Sequence, residues 1–267
     1  MRRIEVLSTS PRRHVPKVKQ CLILAAGNGS RLRQASGGSP KPLVELHGKT
    51  LLDHVILSAR EAGIERFVIV VGYGAEAMRG WLNERSLGGV SVEIVNNDEY
   101  HKDNGVSVLK ARDHFLGAFL LLMADHIFEP RTAKALLEKP LLSGDVILAV
   151  DRKLDRIFDL DDVTKVRRDG DRIVDIGKDL IAYDAFDTGM FLCSLELFDV
   201  LESVKENGNC TLSDGMRVLG RNGRLRAFDI EDASWQDIDT PEALAYAESI
   251  FPEQFCRIPS AERHFSA

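Results

Sequence analysis

A glycine-rich segment, residues 24–43 (LAAGNGSRLRQASGGSPKPL), carries residue types that suit a phosphate group. Gly27 and Gly29 follow an apolar run, where glycines let backbone amides approach an anion closely and point at it. Arg31 comes two residues after Gly29, and Lys41 stands between two prolines. Two cations on one rigid loop suit the transfer of a phosphoryl group, which depends on placement and charge stabilisation. The segment therefore predicts phosphate chemistry, with Arg31 and Lys41 as the catalytic cations.

The segment does not match two common nucleotide-binding motifs. Leu32 stands where the dinucleotide-binding fingerprint has its third glycine, and the Gly-Lys-Ser/Thr of nucleotide hydrolases is absent. A generic strand-to-helix turn with a solvated arginine and lysine is the alternative explanation. The combination of glycines, cations and prolines favours the phosphate site.

Two aspartates are candidates for holding a metal beside that loop. Asp125 ends an apolar strand at its carboxyl end, where open α/β sheets bind ligands. Asp239 lies near Asp125 only if the last strand packs back against the core; its alternative role is to cap the helix that follows. Two carboxylates meeting at a phosphate site indicate Mg²⁺, with Asp237 as a reserve ligand. We expect His126 to be structural, because no second histidine stands at ligand spacing.

These residues are carried by short apolar runs that alternate with helical patterns, as in parallel strands joined by crossover helices. Strands are predicted at 21–26, 66–72, 90–96, 118–125, 145–151, 188–194 and 224–230. Helices are predicted at 50–63, 75–84, 131–139, 195–205 and 212–220, and a last one begins at Pro241. A hairpin about Asp169-Gly170 predicts a small antiparallel excursion over the open end of the sheet. The expected fold is α/β and Rossmann-like, with a mixed, mostly parallel sheet flanked by helices.

Composition excludes several classes of function. The chain has 267 residues, 44% hydrophobic and 28% charged, with a formal charge of −6, which excludes a disordered chain and a polybasic nucleic-acid binder. No apolar run approaches the ~20 residues of a membrane-spanning helix. The four cysteines (Cys21, Cys193, Cys210, Cys256) are scattered, which argues against a disulfide framework or zinc cluster and favours a reducing, cytoplasmic setting.

Several motifs together resemble a known family. LAAGNGSR at 24–31 followed by PKP at 40–42 resembles the nucleotidyltransferases that join sugar-1-phosphates and alcohol phosphates to nucleotides. Six further motifs resemble one branch, the inositol-1-phosphate cytidylyltransferases: NGVS (104–107), MADH (123–126), DVTKV (162–166), DIGK (175–178), FDTG (186–189) and WQDIDTPE (235–242). The resemblance covers roughly residues 20–250 and implies a glycosyltransferase-A-like nucleotidyltransferase fold.

The resemblance implies transfer of CMP from CTP to inositol-1-phosphate, with Mg²⁺ held by Asp125 and Asp239. It assigns nucleotide binding to Ala25, Ala26, Gly27, Asn28, Gly29, Ser30, Asn104, Gly105 and Ser107. Ser107 is also a candidate for the start of a helix. It assigns acceptor binding to Lys165, Lys178, Asp187, Thr188 and Gly189. An inositol pocket should be polar, and the acid-rich stretch 179–188 can supply carboxylates to ring hydroxyls.

Two alternatives remain open. One is a nucleotidyltransferase acting on phosphocholine or a sugar-1-phosphate; choline favours an aromatic cage, and only 7% of the residues are aromatic. The other is a non-catalytic nucleotide-sugar sensor, which should have lost the charged positions that this chain retains. We divide the chain into a flexible basic extension (1–18), one domain (19–252, nucleotide half 19–150, acceptor half 151–252) and a tail (253–267). Fusion or coupling to a membrane-embedded CDP-alcohol phosphotransferase is compatible with the resemblance.

Overall fold

The apolar runs build a nine-stranded sheet at the centre of the computed structural model, which describes residues 17–35, 38–85, 87–155, 160 and 162–252. Within these ranges the strands are β1 (Gln20–Ala25), β2 (Glu45–Leu46), β3 (Lys49–Thr50), β4 (Arg66–Val71), β5 (Ser91–Asn96), β6 (Phe119–Met123), β7 (His126–Phe128), β8 (Val146–Asp151), β9 (Lys165–Asp169), β10 (Arg172–Gly177), β11 (Ala185–Cys193), β12 (Leu225–Asp229) and β13 (Trp235–Asp237). The helices are α1 (Ser30–Ala35), α2 (Leu51–Glu61), α3 (Ala75–Asn83), α4 (Asn104–Lys110), α5 (Pro130–Leu137), α6 (Glu196–Val204), α7 (Leu212–Arg221) and α8 (Pro241–Ile250). Two 3-10 turns lie at Lys41–Leu43 and Arg112–His114.

The main sheet has the order β5-β4-β1-β6-β11-β8-β12-β10-β9. β5, β4, β1 and β6 are mutually parallel, whereas β11 runs antiparallel to β6 and β8. The central strands are buried on both faces, which explains why they are continuously apolar rather than alternating. The prediction of a mixed, mostly parallel sheet is confirmed.

Helices cover both faces of the sheet. Apolar side chains of α2, α3 and α5 form one core with the sheet, and those of α4, α6 and α7 form the other. A third, smaller cluster joins Leu32 of α1 and Leu46 of β2 to Ala247 and Phe251 at the carboxyl end of the described chain. This cluster fixes the segment after the glycine loop against α8.

The predicted hairpin forms, with Gly170 at φ +63° in its turn, but it differs from the expectation in one respect. β10 pairs with β12 and β9 pairs with β11, so the hairpin extends the main sheet rather than forming a separate layer. The reason is that the first residues of β11, Ala185 and Phe186, offer a free edge to β9. The carboxyl end of the hairpin, Gly177 and Lys178, still borders the large cavity.

Val18 is buried in the core, while residues 1–16, Cys256 and the tail 253–267 lie outside the described residues. No described helix combines the length and apolarity that crossing a bilayer requires.

Candidate active site

The site lies at the carboxyl ends of β1 and β6, which are adjacent and parallel. The glycine loop follows β1, and Asp125 follows β6, so both reach the same edge of the sheet. A two-stranded sheet of β7 and β13 pairs Asp237 with His126 and brings the residues after β13 to this edge. A cavity of about 870 Å³ and a smaller one of about 260 Å³ meet there. Gly27, Asp125 and Asp239 line both cavities.

Lys41 is a buried cation surrounded by carboxylates. Its ammonium lies 2.6 Å from Asp125 Oδ2 and also pairs with Asp239. Asp237 Oδ1 is 3.6 Å away. Burial alone would lower the pKa of Lys41, but the three carboxylates raise it well above its usual range, so the ammonium stays charged. Asp125 and Asp239 thus lie on either side of the Lys41 ammonium, a proximity that the sequence made conditional on the last strand packing back against the core.

Gly29 makes room for this lysine. Its φ is +52°, and a Cβ placed there would lie 2.5 Å from Lys41 Cβ. A side chain at this position would therefore push on the 3-10 turn that carries Lys41. By contrast, a Cβ on Gly27 would meet no atom within 4 Å.

A second ion cluster joins the glycine loop to the hairpin. Arg31 Nη2 lies 2.5 Å from Asp162 Oδ2 and 2.7 Å from Asp239 Oδ2. Lys178 pairs with the other oxygen of Asp162, and Lys165 donates a hydrogen bond to the Lys178 carbonyl at 2.9 Å. Hydrogen bonds from Lys178 and Arg31 hold the pKa of Asp162 well below its usual range. One carboxylate thus links the predicted donor cation to the predicted acceptor cation.

Asp125, His126 and Asp237 form a group that can hold a metal ion, since one ligand atom from each lies within 4.8 Å of the others. Asp237 Oδ1 is buried and receives no hydrogen bond from the described residues, as expected of an oxygen that meets a cation. Burial raises the pKa of Asp237 above its usual range. The carboxylates of Asp125 and Asp237, with Asp239 beside them, fit a divalent cation. The assignment of Asp125 and Asp239 as ligands stays a prediction, and Asp237 joins them.

His126 makes two close contacts at this site. Its Nδ1 lies 2.8 Å from Asp125 Oδ1, and its ring stacks on Trp235 with centroids 5.9 Å apart and planes at 19°. Burial alone would lower the pKa of His126, but the charge of Asp237 and the hydrogen bond with Asp125 raise it to about 9. The histidine is therefore a charged partner of Asp125, and with both ring nitrogens protonated it is not available as a metal ligand.

The predicted nucleoside residues have internal partners. Asn104 Oδ1 accepts a hydrogen bond from the Leu212 amide at 2.8 Å, and Ser107 Oγ accepts one from Asn97 at 2.9 Å. Both residues line the large cavity. A Cβ on Gly105 would lie 2.6 Å from the Cys210 carbonyl oxygen, so this glycine allows close packing. Ser107 does not start a helix, because α4 begins at Asn104.

Some of the predicted acceptor residues line the cavity, and others are used for packing. Asp187 and Gly189 line the large cavity, whereas Thr188 is buried and donates to the Ala149 carbonyl at 2.8 Å. Burial raises the pKa of Asp187 to about 6. In the acid-rich stretch, Asp179 borders the cavity, but Asp184 pairs with Arg168.

Sequence reasoning missed Asp151 and Asp162, which also line the large cavity. Asp151 is the last residue of β8 and carried the same signal as Asp125, an acid at the carboxyl end of an apolar strand. Asp162 does not end an apolar strand. It begins the DVTKV motif, but residues 151–187 contain many aspartates and their contacts depend on the path of the loop.

Comparisons with known proteins agree with this geometry. Residues 21–217 match the family model of the MobA-like NTP transferase domain. The chain is 36% identical over 230 residues to a bifunctional IPC transferase and DIPP synthase of Rubrobacter xylanophilus, covering 85% of this chain and 51% of that protein. A protein of the same name from Aquifex aeolicus is 34% identical, with 86% and 51% covered. The chain thus spans about half the length of these curated relatives.

A solved structure, the inositol-1-phosphate CTP transferase from T. maritima, superposes with a TM-score of 0.78 at 28% identity, covering 88% of this chain and 95% of that one. The resemblance to inositol-1-phosphate cytidylyltransferases drawn from the motifs is confirmed. With more than half of its residues matched by the family model and the glycine loop at the centre of its site, the chain belongs to the MobA-like NTP transferase family.

Proposed function

We propose that the chain transfers CMP from CTP to inositol-1-phosphate and releases pyrophosphate. The observation that carries the proposal is the ammonium of Lys41, held among carboxylates at the border between the two cavities. The substrates follow from the names of the relatives, one an IPC transferase and one an inositol-1-phosphate CTP transferase.

The donor triphosphate belongs on the glycine loop in this proposal. The loop offers backbone amides, and Arg31 and Lys41 add two positive charges at its carboxyl end. A fixed cation stabilises charge that develops on the leaving group without reorganising during the reaction. Loop and cations together therefore favour departure of pyrophosphate.

The acceptor needs no general base. A phosphomonoester has a second pKa of ~6 and is largely dianionic at neutral pH. Its oxygen forms a bond to the α-phosphorus of CTP, while the bond from that phosphorus to the bridging oxygen breaks and pyrophosphate leaves with the electron pair. Lys178 lines the hairpin end of the cavity, and in this proposal it receives the acceptor phosphate.

The cofactor in this proposal is Mg²⁺, held by Asp125 and Asp239 with Asp237 as a third carboxylate. Magnesium takes one or two carboxylates and completes its shell with water and substrate phosphates. When bound, the ion supplies positive charge between two anionic substrates. Lys41 and Arg31 hold the same carboxylates in place before it arrives.

We further propose that this enzyme works in the cytoplasm, in keeping with three buried free thiols, Cys21, Cys193 and Cys210. Coupling to a second activity that uses CDP-inositol is compatible with the bifunctional relatives, which are about twice as long as the matched region.

A pyrophosphate-release screen tests the function. Four nucleoside triphosphates are crossed with inositol-1-phosphate, phosphocholine and glucose-1-phosphate in the presence of Mg²⁺. We expect release only with CTP and inositol-1-phosphate, and its loss in Asp239→Ala. Turnover only with glucose-1-phosphate and another nucleotide would assign a different transferase, and nucleotide binding without any turnover would indicate a sensor.

A further inference from the structure

Asp151 is a buried aspartate at the large cavity whose two oxygens have separate partners. It is 4% exposed and ends β8. Oδ2 accepts a hydrogen bond from the indole Nε1 of Trp235 at 2.9 Å. Oδ1 accepts one from the Lys153 amide at 2.8 Å and lies 2.7 Å from the Lys153 ammonium. A buried carboxylate with this set of partners has a fixed orientation.

Lys153 also ties Asp151 to the chain that leads into β13. Its ammonium donates to the carbonyl of Glu231 at 2.7 Å and to that of Ala233 at 3.1 Å. Trp235 follows two residues later. Two sets of contacts therefore hold the indole in place: its own hydrogen bond to Asp151, and the hydrogen bonds from Lys153 to the segment that precedes Trp235.

The indole in turn stacks on the imidazole of His126 and limits the positions that this ring can adopt. Gly189, at φ +74°, also lies close to this ring, because a Cβ there would be 2.5 Å from His126 Cδ2. His126 Nδ1 contacts Asp125 Oδ1 at 2.8 Å, which leaves Oδ2 to meet Lys41 at 2.6 Å. The orientation of Asp125 thus depends on the position of His126.

We propose that Asp151 is a positioning residue for the transfer reaction. Its hydrogen bond to Trp235 holds the indole against His126. Held in this way, His126 keeps the Asp125 carboxylate turned toward Lys41. The inference rests on the proposed function for the reaction that it serves. The alternative explanation is that Asp151, which lines the cavity, binds a hydroxyl of the acceptor directly.

A double-mutant cycle separates the two. Trp235→Phe keeps an aromatic ring but removes the indole donor and part of the ring surface, whereas Asp151→Ala removes the acceptor. We expect each single variant to lower kcat by about 10-fold to 100-fold, with little change in the KM for inositol-1-phosphate. The double variant should be no worse than the poorer single one, because both remove one interaction. Asp151→Asn, which keeps one acceptor oxygen for the indole, should recover part of the loss.

A raised KM for inositol-1-phosphate in Asp151→Ala that Trp235→Phe does not share, with additive losses in the double variant, would overturn the inference in favour of direct binding. Trp235→Phe is also the safeguard against misfolding, because it leaves both Asp151 contacts with Lys153 intact.

A fluorescence measurement tests the contact without catalysis. The chain has two tryptophans, and Trp81 Nε1 is buried without a hydrogen-bond partner among the described residues, so Trp81→Phe leaves Trp235 as the only reporter. In that background Asp151→Ala should shift the Trp235 emission and increase its quenching by acrylamide, while Asp171→Ala at an exposed site should not. Unchanged emission in Asp151→Ala would overturn the inference. Absence of cytidylyl transfer by the unaltered protein would refute the proposed function and leave this comparison valid.

Discussion

Asp125 and Asp187 both line the large cavity. Asp125 has two cations within ion-pair distance, Lys41 and His126, whereas Asp187 has none among the described residues. Burial alone would raise the pKa of Asp125, yet Lys41 and His126 hold it well below its usual range. Burial raises the pKa of Asp187 to about 6, although the Gly189 amide donates a hydrogen bond to it at 2.7 Å. In the proposed function, Asp125 and Lys41 belong to the donor side of the cavity, and Asp187 and Lys178 belong to its acceptor side. The donor side then has its charges balanced before substrate arrives, and the acceptor side keeps an acid that suits a hydroxyl donor.

The lysines of the donor and acceptor sides also differ, in their exposure to water and in the number of their ion-pair partners. The side chain of Lys41 is 6% exposed and lies among three carboxylates, whereas that of Lys178 is 54% exposed and pairs with Asp162. Water screens the exposed pair, so Lys178 can exchange its partner at little cost. Lys41 cannot, because a buried charge needs its partners. We infer that the donor side is preorganised for chemistry and that the acceptor side rearranges on binding.

The largest effect should come from removing the buried cation. We expect Lys41→Met to lower kcat by about 10²-fold to 10³-fold, since the proposed function has this fixed charge stabilise the leaving group. The variant should also melt at a lower temperature, because Asp125 and Asp239 then repel each other, and Mg²⁺ should restore part of the loss. Steady-state kinetics and thermal melts measure both. Lys205→Met, which removes an ion pair with Glu202 at the end of α6, is the control. Near-normal turnover in Lys41→Met would remove the donor side from the mechanism.

The next effect tests how closely the donor loop is packed. Gly29→Ala should lower the free energy of unfolding by about 2 kcal/mol, because it adds a strained positive φ and a contact with Lys41. Gly27→Ala is the matched control, as its Cβ would meet no atom within 4 Å and should change stability by less than about 0.5 kcal/mol. Urea denaturation compares the two. Equal losses would show that the loop does not depend on the close approach to Lys41.

The sequence predicted most of what lies on long elements. The glycine loop, Asp125 and the parallel strands follow from apolar runs of five or six residues, which are local signals. The pairing of β7 with β13 was not predictable, because three-residue strands have no period to detect. That pairing brings Asp237 to Lys41 and sets Trp235 beside His126.

Motifs also named residues that the structure uses for packing. Gly105 and Thr188 stand between residues that line the cavity, but one packs against Cys210 and the other bonds to Ala149. A motif identifies a segment whose conformation matters. It does not distinguish the residues that face the cavity from those that pack behind it. The roles assigned to the individual site residues therefore stay predictions until variants test them.

A smaller effect is expected from the exposed cation of the acceptor side. Lys178→Ala should raise the KM for inositol-1-phosphate by about 10-fold, equal to about 1.4 kcal/mol, with kcat nearly unchanged. The reason is that in the proposed function Lys178 contacts the ground-state acceptor, and it lies outside the buried cluster around Lys41. Lys165→Ala is a matched comparison, because its ammonium bonds to the Lys178 carbonyl and should move KM less. A loss in kcat as large as that of Lys41→Met would show that the two sides are equally preorganised.

The smallest effect concerns Asp187, which has no ion-pair partner among the described residues. Because the pKa of Asp187 is raised from 3.8 to about 6 in the folded protein, the folded state binds more protons than the unfolded state between these values. Stability therefore falls as pH rises through that window, and the full penalty is present above it. Asp187→Asn removes the penalty and should stabilise the protein by about 1 kcal/mol at pH 7.5, since cavity water relieves part of the cost. The gain should be smaller at pH 5 and absent near pH 4. Thermal melts in EDTA at the three pH values measure it, with the exposed Asp113→Asn as control. A gain in stability that does not change with pH would mean that the pKa of Asp187 is not raised by burial. The two aspartates would then differ only in that Asp125 is paired with a buried lysine.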